Sequence, residues 1–172
     1  VYVAKSGGQR IVFHNIDDSD FDEIRADINE DFTIGTMFRL ILPELLKELP
    51  RIIYLDADMF VNIDIRELWR TDITGYCLGV VKDMWVSDGS VIPYPVRINQ
   101  VYKENYFNAG MLYINLDNIR NDGKLSLKVA DYLKNNKEAV YPDQDALNVI
   151  YNGKCLYLDN KWDYFVTYER GN

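Results

Sequence analysis

Two aspartates, two residues apart, close the stretch Pro50-Arg51-Ile52-Ile53-Tyr54-Leu55-Asp56-Ala57-Asp58-Met59-Phe60-Val61. Carboxylates this near to each other repel unless something positive sits between them. The usual answer is a divalent cation held through oxygen ligands, which can in turn hold the phosphates of a substrate. The same spacing also suits a strand-end turn, with aspartate as a local cap or a solvated pair. On this window alone both readings stand.

The elements that must position the pair can be read around it. The apolar run after Pro50 predicts a buried strand. Where such a strand ends in an open α/β sheet, backbone pairing stops and a crevice opens. Upstream, Ile11-Val12-Phe13-His14-Asn15-Ile16 is a short β-type run, and Asp17 to Asp31 reads as loop or weak helix. His14, the only histidine, is expected to be a partly buried structural residue. Thr33-Ile34-Gly35-Thr36 offers helix-start chemistry, followed by Met37, Leu40, Ile41, Leu45 and Leu46 at helical spacing. Pro43 should kink or restart that helix. Arg39 sits among these apolar residues and needs a partner or an anion, unless it snorkels to the surface.

Downstream, Asp64 with Glu67 resembles a capping box. Cys77 to Val81 predicts a strand. Lys82 to Tyr102 has no period and two prolines, so it is long for a structureless loop and is expected to be functional or mobile. In Tyr106-Phe107-Asn108-Ala109-Gly110-Met111-Leu112-Tyr113-Ile114-Asn115 the second half predicts a strand, while Asn108-Ala109-Gly110 lets backbone approach something closely or forms a plain turn or bulge. A helix is predicted over Leu125 to Leu133. Another opens at Tyr141-Pro142-Asp143-Gln144-Asp145, with Asp143 as its N-cap and Gly153 as its stop. Cys155 to Leu158 is a last strand, and Trp162, Tyr164, Phe165 and Tyr168 make an aromatic tail. Strands alternating with helices predict one α/β domain over residues 1–172, largely a single sheet with helices on its faces.

Net charge is −8, with 27 acidic against 19 basic residues, which disfavours a nucleic-acid or anionic-membrane binder. An anion could still bind if a metal supplied the charge. The two cysteines fit no metal or redox spacing and read as buried thiols, suggesting a cytoplasmic chain. No run approaches a membrane span, and no leader is evident. The first residue is Val1 and the last Asn172, as expected of a piece of a longer polypeptide.

Four windows occur in order: Thr36-Met37-Phe38-Arg39-Leu40, Ile53-Tyr54-Leu55-Asp56-Ala57-Asp58, Tyr106-Phe107-Asn108-Ala109-Gly110, and Tyr141-Pro142-Asp143-Gln144-Asp145-Ala146-Leu147-Asn148. Together they resemble glycosyltransferase family 8, which includes bacterial lipopolysaccharide galactosyl- and glucosyltransferases and glycogenin. The resemblance implies a GT-A fold, a Rossmann-like α/β/α sandwich with a mixed sheet. It implies transfer of glucose or galactose from a UDP-sugar to a saccharide acceptor with retention, in cell-surface polysaccharide or lipopolysaccharide synthesis. The implied cofactor is Mn²⁺, or Mg²⁺ in its place, and the implied location is cytoplasmic or at the inner face of the membrane.

By the same resemblance, Asp56 and Asp58 are the metal ligands, with Asp56 and Ala57 also meeting the donor. Arg39 lies near the donor sugar and diphosphate. Asn108, Ala109 and Gly110 contact the donor sugar. Asp143 and Gln144 are the catalytic pair beneath it. No strong nucleophile is evident, so a same-face mechanism is expected rather than double displacement.

The family's opening strand and uracil-gripping turn find no match before Ile11, and its late segment with a metal-ligating histidine is absent. An incomplete N-terminal strand and C-terminal segment are therefore expected, with weak metal affinity and a bare sheet edge that favours a homodimer. Two other readings are a truncated, non-catalytic sugar- or partner-binding domain and a haloacid-dehalogenase-type phosphatase. The phosphatase wants a small hydroxyl residue at position 60, where Phe60 stands. Donor sugar, acceptor and a source for the third metal ligand are not legible.

Overall fold

The computed structural model describes residues 2–6, 9–17 and 34–165. The main sheet has four strands in the order β3-β5-β4-β6: β3 (Arg51–Leu55), β4 (Leu78–Lys82), β5 (Phe107–Asn115) and β6 (Cys155–Tyr157). β5 runs antiparallel to both β3 and β4, and β6 runs parallel to β4, so the sheet is mixed. A separate antiparallel pair joins β1 (Tyr2–Ser6) to β2 (Gln9–Phe13). A strand therefore does precede Ile11, although no motif announces it.

One sheet face carries the larger core. Leu78, Val80, Phe107, Ala109, Leu112 and Ile114 on the strands meet Met37, Leu40, Leu116, Val129, Leu133, Ala146 and Leu147 from the helical side. The elements covering that face are a 3-10 helix at Ile34–Ile41 and the helices α1 (Leu42–Leu45), α5 (Leu116–Asn121), α6 (Leu125–Asn135) and α7 (Pro142–Ile150). The opposite face packs Val81, Met111 and Tyr113 against Leu68, Ile73 and Trp162, under the one-turn α2 (Arg66–Trp69).

Pro43 acts as its chemistry requires. The 3-10 run ends at Ile41, and α1 restarts with the proline inside its first turn, where a missing N–H is harmless. Gly153 follows α7 at φ +78°, the left-handed geometry that ends helices without penalty for glycine.

Several expectations need correction. Asp64 is no helix cap: the N-cap of α2 is Ile65, and the Asp64 carboxylate holds the backbone and side chain of Arg66 instead. Glu67 pairs with Lys161. Asp143 is not an N-cap either, since Tyr141 holds that position and Asp143 turns inward. Asn108-Ala109-Gly110 is not a plain turn but the first part of β5, and an irregularity of the bulge type falls there: Val80 pairs with Leu112 and Val81 with Asn108, so Ala109, Gly110 and Met111 are left over on β5. Lys82 to Tyr102 is not structureless. It forms α3 (Met84–Ser87) and α4 (Tyr94–Arg97), pinned by Val86 and Val101 against Tyr106. His14 is exposed. The Asp17 to Asp31 stretch, beyond Asp17 itself, and Tyr168 lie outside the described residues.

Candidate active site

β3 delivers Asp56 to the end of the sheet, where the Asp56 N–H donates to the Gly110 carbonyl and fixes the turn. Arg39 reaches the same point from the 3-10 helix. Its Nη2 donates to Asp56 Oδ1 at 2.9 Å, its Nη1 to the Ala109 carbonyl, and its Nε lies 3.2 Å from Asp143 Oδ2. Arg39 is 7% exposed, so the alternative in which it snorkels to solvent does not hold. One guanidinium thus ties the end of β3, the start of β5 and the start of α7 together. The planar fork of arginine suits such multiple recognition. Tyr54 supports the arrangement: its ring lies 4.8 Å from the guanidinium, and its hydroxyl donates to Asp56 Oδ1 at 2.5 Å.

Gln144 is clamped at both ends of its amide. Oε1 accepts from the Ala109 N–H at 2.9 Å, while Nε2 lies 3.3 Å from the Tyr106 hydroxyl and 3.4 Å from Asp83 Oδ2. Tyr106, fully buried, donates to Asp145 Oδ1 at 2.5 Å. Asn148 seals the base by pairing with both backbone groups of Phe107. A wet, open site would not hold an amide so firmly; here its orientation is set by a chain of partners running into the core.

The electrostatics are acid-rich. Burial raises the Asp143 carboxyl above its ordinary value, with Arg39 opposing. Burial likewise pushes Asp145 up to about 6, opposed by the Tyr106 hydroxyl. Asp163 also rises to about 6 through burial, opposed by the Met111 N–H and reinforced by Asp83, Asp56 and Asp58. Such displaced carboxyls in a cleft mark a candidate functional site, although structural ion-pair networks shift carboxyls too.

The structure brings Arg39, Asp56, Asn108, Ala109, Gly110, Asp143 and Gln144 together. Asp58 and Ala57 are exposed in the turn at the rim. Among the described residues, no three histidine, cysteine or acidic side chains form a ready-made metal cage. Sequence reasoning missed Asp83, which ends β4 just as Asp56 ends β3, and a carboxylate at a strand end is a legible signal. It also missed Trp85 and Asp163. A cleft of about 180 Å³ opens beside Gln144, lined by Asp83, Trp85, Val91, Asn108, Tyr141 and Phe165.

The family model for glycosyl transferase family 8 matches residues 3–172. The chain belongs to glycosyl transferase family 8. Among its relatives, the lipopolysaccharide 1,2-glucosyltransferase of Escherichia coli is 34% identical over 135 residues, covering 76% of this chain and 38% of the enzyme. General stress protein A of Bacillus subtilis is 29% identical over 136 residues, 76% of this chain and 46% of the relative. The galactosyltransferase LgtC, solved in complex with donor and acceptor sugar analogs, superposes with a TM-score of 0.82 at 25% identity over 98% of this chain and 59% of its own. The fold is accordingly that of the GT-A glycosyltransferases. The chain spans less than half the length of these two curated relatives. No described helix is long and apolar enough to cross a membrane.

Proposed function

We propose that this family 8 chain forms the donor-sugar site of a retaining hexosyltransferase, moving glucose or galactose from a UDP-sugar to a saccharide acceptor in cell-surface polysaccharide or lipopolysaccharide synthesis. One observation carries the reading. Arg39 joins Asp56 at the end of β3 to Asp143 at the start of α7, across the backbone of Ala109. This makes a rigid floor of acids and amides at a sheet's end, where ligands of open α/β folds bind.

The chemistry fits. Positive charge develops on the sugar as its bond to the diphosphate breaks, and preorganised carboxylates and amide oxygens beneath it stabilise that charge. Asp143 would hold sugar hydroxyls. The Gln144 amide, committed at both ends, orients rather than attacks, which favours a same-face departure. The cleft lined by Asp83, Trp85 and Tyr141 suits a saccharide acceptor, whose apolar faces stack on aromatic rings and whose hydroxyl would bond to Asp83.

Asp56 and Asp58 suit a hard divalent cation, Mn²⁺ or Mg²⁺, because the acids around Arg39 outnumber it. With two carboxylates such a site would be weak until donor phosphates complete it. Bound there, the ion would supply positive charge to the leaving diphosphate.

Calorimetric titration of UDP, with Mn²⁺ and then with EDTA, tests the proposal. Binding that requires Mn²⁺ supports it; no binding in either condition overturns it. Asp143→Ala should abolish transfer while sparing UDP binding, and loss of UDP binding would remove Asp143 from the sugar.

A further inference from the structure

Lys82 is the one charged residue of β4, at the strand's last position. It is half-buried, and among the described residues no carboxylate pairs with its ammonium. Its partner is the Tyr157 ring, whose centroid lies 5.4 Å from Nζ. That ring is anchored by its own hydroxyl, which donates to the Asn105 carbonyl at 2.6 Å. A ring face attracts a cation but offers no lone pair to its three N–H donors. Those donors are left to water or to a ligand.

A cleft of about 350 Å³ opens here, lined by Lys82, Met84, Ser87, Asp88 and Asn160. It neighbours the cleft beside Gln144. Asp83 and Trp85 line that one, while Lys82, Met84 and Ser87 line this one, so a single short segment, the end of β4 and α3, contributes to both. The segment is well anchored. Asp83 Oδ1 accepts the Val86 N–H and caps α3, and Val86 is buried against Val101 and Tyr106.

The lining sets the charge of what can bind. Lys82 brings a full positive charge, and the amide of Asn160 is a neutral donor. Asp88 opposes an anion, but its Oδ1 already accepts the Ser90 N–H. The complement of an ammonium beside an amide is a carboxylate or a phosphate. We propose that this second cleft takes an anionic substituent of the acceptor saccharide, held by Lys82, while the acceptor's reacting hydroxyl lies on the Asp83 side of the shared segment. The proposal rests on reading the cleft beside Gln144 as the acceptor's, and it narrows the acceptor to an acidic saccharide.

The test titrates the ¹⁵N-labelled chain, with UDP and Mg²⁺ present, with methyl glucoside, methyl glucuronide and sodium sulfate, followed by NMR at the backbone amides of Lys82 and Asn160. The glucuronide should bind about threefold to fivefold more tightly than the glucoside, the scale of a partly screened ion pair. That preference should vanish in Lys82→Met, survive in Lys82→Arg, and shrink as salt rises from about 0.1 M to about 1 M. Unshifted amides elsewhere show that each variant folds. Equal affinity for the two saccharides, binding of neither, or a preference unchanged in Lys82→Met overturns the proposal. Sulfate bound as tightly as the glucuronide also overturns it, by making the cleft a site for free anions. Failure of UDP to bind would sink the donor-site reading by its own test, whereas the comparison of glucuronide with glucoside still decides this one.

Discussion

Replacing Arg39 with methionine keeps much of the volume and removes the charge that holds the site together. The guanidinium is 7% exposed and faces Asp56 at 2.9 Å and Asp143 at 3.2 Å, the latter side chain only 9% exposed. Removing one partner of a buried ion pair strands the other charge and costs about 3–5 kcal/mol. For a chain of this size that lowers the melting midpoint by roughly 10 °C. The loss should depend on pH. Asp143 already titrates above its ordinary value because it is buried, and Arg39 is the chief influence pulling it down. Without Arg39 its folded value rises further. The folded chain then holds a proton that the unfolded chain has released, so stability falls as pH climbs from the unfolded carboxylate value toward the raised folded one. Urea unfolding in EDTA should therefore show a larger penalty at pH 8 than at pH 5. In an Asp143→Asn background the same substitution should cost less. A penalty below about 1 kcal/mol at pH 8, or one equal at both pH values, would refute the argument from stranded charge.

Other outcomes follow from the same geometry. Asp145 titrates near 6 in the folded chain because burial outweighs its hydrogen bonds, so Asp145→Asn should gain stability relative to the parent as pH rises from about 4 to 7; parallel curves would show the carboxyl is not strained. Tyr106→Phe removes the hydroxyl that serves both Asp145 and Gln144, and should cost about 1–3 kcal/mol in chemical denaturation. Gly79→Ala puts a methyl 3.1 Å from Tyr113 Cβ and 3.3 Å from Leu158 Cδ1, between two packed layers; a loss of about 1–3 kcal/mol is expected, and a neutral result would mean that the strand yields. The outer edge of β3 has no pairing strand among the described residues, so light scattering should reveal self-association as concentration rises; a monomer throughout would show that the edge is covered.

The sequence by itself determined the parts that depend on local order and chemical type. The apolar run closed by Asp56 and Asp58, the restart at Pro43, the helix opening at Pro142 and the ordered windows around Arg39, Asn108 and Gln144 were all legible, because each is a short pattern with its own physical reason. The tertiary structure decided what each residue is for. Asp143 reads as a helix cap in one dimension; only packing beside Arg39 turns it into the buried partner of a charge. Asn108-Ala109-Gly110 reads as a turn or a bulge, and only the fold decides: Asn108 pairs with Val81 of β4 and the Gly110 carbonyl accepts the Asp56 N–H, so the stretch is an irregular part of β5. Asp163 gives no local signal at all. It lies 53 residues beyond Gly110 in the chain, and only folding buries one of its oxygens without a hydrogen-bond partner among the described residues. Local patterns report what a segment can form, whereas long-range packing chooses which polar groups meet, which charges are stranded and where a ligand must complete them.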